Sequence, residues 1–161
     1  MFDKFGEFDS VEELNLAAEG LLKENDSNSL FELAKENGIS REDTQDYIDG
    51  YVAELATLPM AAMGRIKVIK LPVNHMEKMA CSVILEKLQN MITDEAMQTA
   101  VMHKGKRIEK IYEAMKKGAE KHKSGSVGVS CGTDKQLREI IQAYYIHGEN
   151  KTAELIEKLY K

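Results

Sequence analysis

The sequence predicts an all-α protein of about seven to eight short to medium helices. Three observations carry this reading. Apolar residues recur at three- and four-residue spacing through most of the 161 residues. Ser, Asn or Thr, with an acid or amide three positions on, stands before most of these runs. Alternation of the kind a sheet needs occurs only around residues 66–71, where a minor strand pair stays open.

In chain order, Ser10 and Glu13 form a capping box ahead of Leu14, Ala17, Ala18, Leu21 and Leu22. The polar run 25–28 breaks that helix. Ser29 with Glu32 reads as a second box, followed by Leu30, Leu33 and Ala34, and Asn37-Gly38 ends the stripe. Ser40 opens a third helix, with Glu42 and Asp43 in the first turn, where the macrodipole favours acids. Gly50 ends it or is carried within a longer helix, and Tyr51 to Leu58 read as helix. Pro59 suits a new helix start, since its missing amide hydrogen costs nothing there. The run Ile66 to Leu71 reads as helix or short strand, and Pro72 closes it.

The second half is more regular. Asn74 with Glu77 caps a long helix whose Met76, Met79, Ala80, Val83, Ile84, Leu88, Met91 and Ile92 form one broad apolar face. Thr93 starts the next, carrying Ala96, Met97, Ala100 and Val101. A basic helix over 106–123 follows Gly105. The glycine-rich run 124–132 reads as a connector. Thr133 with Gln136 opens a helix bearing Leu137, Ile140, Ile141, Tyr144 and Tyr145, Gly148 stops it, and Asn150 begins the last. No internal repeat is present.

Charge divides the chain. Net charge is −5, yet residues 1–58 hold 15 acids against 4 bases, and residues 103–123 hold 8 bases against 3 acids. This predicts an acidic helical subdomain over 1–58 and a helical subdomain over 73–161 that contains the basic helix. Such asymmetry points to charged partners, or to two regions that screen each other. The N-terminus has no apolar signal core, and no run approaches the roughly twenty apolar residues that span a bilayer. A cytoplasmic chain without membrane contact is the expectation.

Catalytic and metal chemistry find little support. Cys81 and Cys131 stand fifty residues apart, outside any zinc spacing, and read as free thiols. His75, His103, His122 and His147 form no i, i+4 pair. The loop 124–132 lacks the Gly-Lys-Ser/Thr ending of a phosphate loop. No enzyme, cofactor or metal is expected. What remains are charged and aromatic surfaces: Glu42, Asp43, Asp46, Asp49 and Glu54 on one side, and Lys106, Arg107, Lys110 and Lys117 on another. Tyr144 and Tyr145 fit either an interface anchor or a helix core.

The run Gly105-Lys106-Arg107-Ile108-Glu109-Lys110-Ile111-Tyr112-Glu113-Ala114-Met115-Lys116-Lys117, with Ala143-Tyr144-Tyr145-Ile146-His147-Gly148-Glu149, resembles the PcfK-like proteins of Gram-positive mobile elements. The opening Phe2 to Ser10, with Leu33 to Ile39, is similar to openings of other proteins from such elements. The resemblance implies an anti-CRISPR protein that binds and inhibits an RNA-guided defence nuclease. The alternative is a conjugation accessory protein acting as an adaptor or weak nucleic-acid binder through residues 103–123.

Overall fold

A computed structural model describes residues 4–124 and 132–161. The described residues form nine helices: α1 (Val11–Lys23), α2 (Ser27–Glu36), α3 (Arg41–Ile48), α4 (Leu58–Lys67), α5 (His75–Gln89), α6 (Glu95–Met102), α7 (Ile108–Lys121), α8 (Asp134–His147) and α9 (Glu149–Lys158). Among them there is no strand. Ile66 and Lys67 complete the last turn of α4, so the open strand pair at 66–71 is not formed.

The caps explain most helix starts. Ser10, Ser40, Asn74 and Thr133 each accept a backbone N–H two or three residues on. The box at Ser10 is shifted by one residue, because Glu13 accepts from the N–H of Asp9. Three starts differ from the sequence reading. Asp26 caps α2 by accepting from the Ser29 N–H, which leaves Ser29 inside the first turn. Asp94 caps α6 in place of Thr93. Gly148 stands between α8 and α9, so the last helix begins at Glu149.

Three of the early helices end in the same way. Asn25, Gly38 and Gly50 adopt left-handed backbone, and the residue after each returns its N–H to a carbonyl five residues back. This is the Schellman closure, which satisfies carbonyls that the helix end leaves open. The closure at Gly50 also corrects the expected helix over 51–58. Residues 51–55 run as bends, and the Asn15 side chain then holds Ala56 by both its N–H and its C=O, at 3.1 and 2.9 Å.

The chain folds as two compact units, each discontinuous in sequence. Unit 1 takes residues 1–70 and 92–105; unit 2 takes 71–91 and 106–161. These boundaries differ from a division at 58 and 73, because α4 and α6 pack on each other and complete the unit that α1–α3 begin. The core of unit 1 is built on Leu14, Ala18, Leu30, Leu33, Leu55 and Met102. Buried Arg65 pins it. Its guanidinium pairs with Glu7 at 2.5 Å and donates to the carbonyls of Phe8 (2.5 Å) and Met102 (3.4 Å). The last carbonyl of α6 is thus met by a cation, as the helix dipole favours.

Unit 2 packs α5, α7, α8 and α9. Ile84, Leu88, Ile108, Ile111, Ile140 and Ile141 fill it, with α7 and α9 crossing at Gly118 against Ile156. The broad apolar face predicted for the first of these helices splits. Cys81, Ile84 and Leu88 are buried, whereas Met76, Met79 and Val83 are exposed, and Ile92 belongs to unit 1. None of the nine helices is long and apolar enough to cross a membrane.

Candidate functional site

The two units carry opposite charge. Counted over the same residues, unit 1 has 17 acids and 8 bases, net −9, and unit 2 has 10 acids and 14 bases, net +4. The acidic residues singled out by sequence lie on and just after α3. Glu42, Asp46 and Asp49 share one helix face at i, i+4 and i+7 and are exposed, as is Glu54 beyond the helix. Asp43 accepts from the Ser40 hydroxyl at 2.6 Å, and Asp49 accepts from the Gln45 amide at 2.9 Å. Among the described residues Glu42, Asp46 and Glu54 enter no ion pair, so their charges face solvent.

The basic helix behaves differently. Lys106 lies before α7, half-buried, with its ammonium 2.8 Å from the Tyr144 carbonyl and 4.9 Å from the Tyr144 ring centre. Burial pulls its pKa below the ordinary lysine value. Arg107 donates its backbone N–H to the Tyr144 hydroxyl at 3.0 Å. Lys110 binds Glu149 at 2.7 Å, and Lys121 binds Glu157 at 2.8 Å. His122 completes the second cluster: Nε2 is 2.9 Å from Glu157, and its ring stacks on Tyr160. These cations hold Glu149 and Glu157 below the ordinary glutamate value, Glu149 first through its bond to Lys110 and Glu157 through Lys121. Lys117 stands between the two clusters, exposed and, among the described residues, without an ion pair, on the rim of a groove of about 400 Å³ between α7 and α9. Of the predicted basic residues, Lys110 is therefore engaged by an acid of α9, Lys106 and Arg107 are tied to Tyr144, and Lys117 stays open.

Tyr144 and Tyr145 lie in the core of unit 2, at 2% and 3% exposure, with their rings edge to face at 5.2 Å. Each is covered, so neither offers a surface anchor. Burial raises the Tyr144 hydroxyl above its ordinary value.

Sequence reasoning missed a second part of the acidic face. A groove of about 370 Å³ runs between α1 and residues 53–58, walled by Leu16, Ala53 and Leu58 and edged by Glu12, Glu19 and Glu54. Leu16 is 69% exposed, and Tyr51 and Val52, next to the groove wall, are 79% and 45% exposed. The signal was present: Leu16 falls off the stripe of Leu14, Ala18 and Leu21, on the side of Glu12 and Glu19.

Cys81 is fully buried, and burial pushes its thiol up to about 11, with Glu109 and Glu77 adding to the shift. Such a thiol is a poor nucleophile. Residues 125–131, including Cys131 and most of the run read as a connector, lie outside the described residues. Among the described residues no three His, Cys, Asp or Glu side chains gather at a separation that would hold a metal ion. Comparison with protein families, with characterised proteins and with solved structures finds no match to this chain, which leaves the acidic face of unit 1 as the ground for assigning a function.

Proposed function

We propose that this chain is a mobile-element anti-CRISPR protein that inhibits an RNA-guided defence nuclease by laying the acidic face of unit 1 on the nuclease's cationic nucleic-acid channel. The supporting observation is the unequal fate of the two charged surfaces. Glu42, Asp46 and Glu54 present charge to solvent on a unit of net −9, whereas Lys110 and Lys121 are held by Glu149 and Glu157. A channel that grips a guide–target duplex through its backbone presents a row of cations. An acidic protein surface is attracted to such a row by the same field. The mobile-element origin and the class of nuclease come from the resemblance of residues 105–117 and 143–149.

The test titrates the purified protein into a guide-loaded type II nuclease and reads target binding and cleavage at two salt concentrations. Inhibition that weakens with salt, and is lost on reversing Glu42, Asp46 and Glu54 to Lys, supports the reading. Equal cleavage at saturating protein sinks it. Recovery from a lysate only when DNA is intact would favour the conjugation adaptor instead. Reversing Lys106, Lys110 and Lys117 would then abolish binding and flatten its salt dependence.

A further inference from the structure

We propose that the groove between α1 and residues 53–58 docks a cationic amphipathic segment of a protein partner, an apolar side chain seating beside Leu16 while lysines or arginines reach Glu12, Glu19 and Glu54. The inference rests on the function proposed above and names the part of the acidic face that grips. Three features of the groove select this occupant.

The first is its chemistry. Its walls are apolar at Leu16, Ala53 and Leu58, its edge carries three glutamates, and among the described residues no lysine or arginine lines it. Glu19 shares its carboxylate with Lys23 at 2.5 Å, a half-exposed pair that an incoming cation can replace. Among the described residues Glu54 enters no ion pair. Glu12 is held below the ordinary glutamate value by the Ser10 hydroxyl and so is ionised at neutral pH. A neutral apolar peptide would leave these carboxylates facing it uncompensated, and nucleic acid would be repelled.

The second is exposed apolar surface in one place. Leu16, Tyr51 and Val52 are the large apolar side chains that unit 1 exposes among the described residues; Leu16 lines this groove, and Tyr51 and Val52 lead directly into its wall residue Ala53 along the chain. Clustered exposed apolar residues rimmed by charge mark interaction sites more often than scattered ones do. Tyr51 follows Gly50 in the Schellman closure, where the side chain usually folds back on its helix. Ile39, at the equivalent place after α2, is buried, whereas Tyr51 stands out in solvent.

The third is preorganisation. The Asn15 side chain holds Ala56 by both backbone groups, so the far wall is fixed to α1 before any partner arrives. A wall already in place saves the ordering cost of binding.

The experiment uses the full chain with labelled leucine and valine methyls. The probe is a synthetic helical peptide of leucine and lysine, compared with an oligolysine of equal charge and with a leucine–glutamate peptide. The leucine–lysine peptide should shift the Leu16 and Val52 methyls and leave Val83 on α5 unmoved. Leu16→Ala should weaken it by ~10-fold, the scale of losing most of one leucine's apolar contact. Glu12→Gln with Glu54→Gln should weaken it several-fold and reduce its salt dependence. Leu16 is exposed, so an unchanged melting curve for Leu16→Ala shows that folding is intact. Equal binding of oligolysine, shifts centred on Val83, or an unaffected Leu16→Ala would each overturn the proposal. So would a dimer in sedimentation that Leu16→Ala disperses, since the groove would then belong to a second copy. The two readings separate cleanly. Inhibition of the nuclease equally by wild type and Leu16→Ala sinks the groove alone, and a groove that binds the peptide while the nuclease cleaves unhindered sinks the function alone.

Discussion

Gly38 and Gly64 meet backbone to backbone, the end of α2 crossing α4 so closely that neither position has room for a Cβ. The Gly64 carbonyl fills the place a side chain on Gly38 would take, and the Asn37 carbonyl does the same at Gly64. Gly64→Ala should therefore cost ~1–3 kcal/mol through overpacking. Gly38→Ala should cost more, because Gly38 also holds a left-handed φ of 69° that adds ~1–2 kcal/mol for an L-residue. Gly20, in the last turn of α1 with open space where a Cβ would stand, is the control. Gly20→Ala should stabilise by ~0.5–1 kcal/mol. Urea midpoints for the three variants check the order, and a neutral Gly64→Ala would refute the crossing.

Arg65 offers a second test. Removing one partner of a buried, hydrogen-bonded pair strands the other, so Arg65→Ala should destabilise by ~3–5 kcal/mol. Arg65→Lys keeps the charge but loses the fork that serves Glu7, Phe8 and Met102 together, and should fall between. Thermal unfolding decides it. If Arg65→Ala melts like wild type, the guanidinium does not organise unit 1.

The α7–α9 ion pairs predict a direction with pH. Glu149 and Glu157 have folded values below their ordinary 4.5, so the stability they contribute is complete above 4.5 and is lost as pH falls through the lowered values. A Glu149→Gln, Glu157→Gln chain should be less stable than wild type at neutral pH. At pH 3 the gap should narrow, as the wild-type carboxyls take up protons. A constant gap would mean that these bonds do not depend on ionisation. Each pair is exposed, so the effect should be modest and sensitive to salt.

Cys81 should resist thiol reagents. At pH 8 a thiol moved from 9.0 to about 11 holds about 100-fold less thiolate, and its burial blocks access as well. In a Cys131→Ser chain, disulfide-exchange reagents should react only as fast as the protein opens, and urea should accelerate the reaction steeply. Rapid modification of the native chain would contradict the burial of α5 in unit 2.

The helical class and the caps at Ser10, Ser40, Asn74 and Thr133 were legible because a cap is local chemistry: a side-chain acceptor and an N–H two or three residues away. Asp26 was hidden because several capping residues crowd 25–29, and only packing chooses among them. The bends at 51–55 were hidden for another reason. Their path ends at Ala56, which is held by Asn15 forty-one residues earlier, and no local pattern reports such a bond. The same holds for the basic helix. Lys110 and Lys121 read as open surface until Glu149 and Glu157 are folded against them. The acids of α3 could be read directly, because nothing distant covers them. Tyr144 and Tyr145 left both readings open in the sequence, and the burial of α8 decides for the core.

The interleaving of the two units constrains how the chain can be made. The polypeptide crosses between them three times, near residues 70, 91 and 105. During synthesis from the N-terminus, α4 leaves the ribosome before the α6 that packs on it, and α5 is made between the two, ahead of every helix of its own unit. Unit 1 cannot close until residue 105 has emerged, so α5 and the half-finished unit each wait with an apolar face open. The nascent chain therefore passes through a stage, from about residue 89 to 105, in which it is most in need of a chaperone.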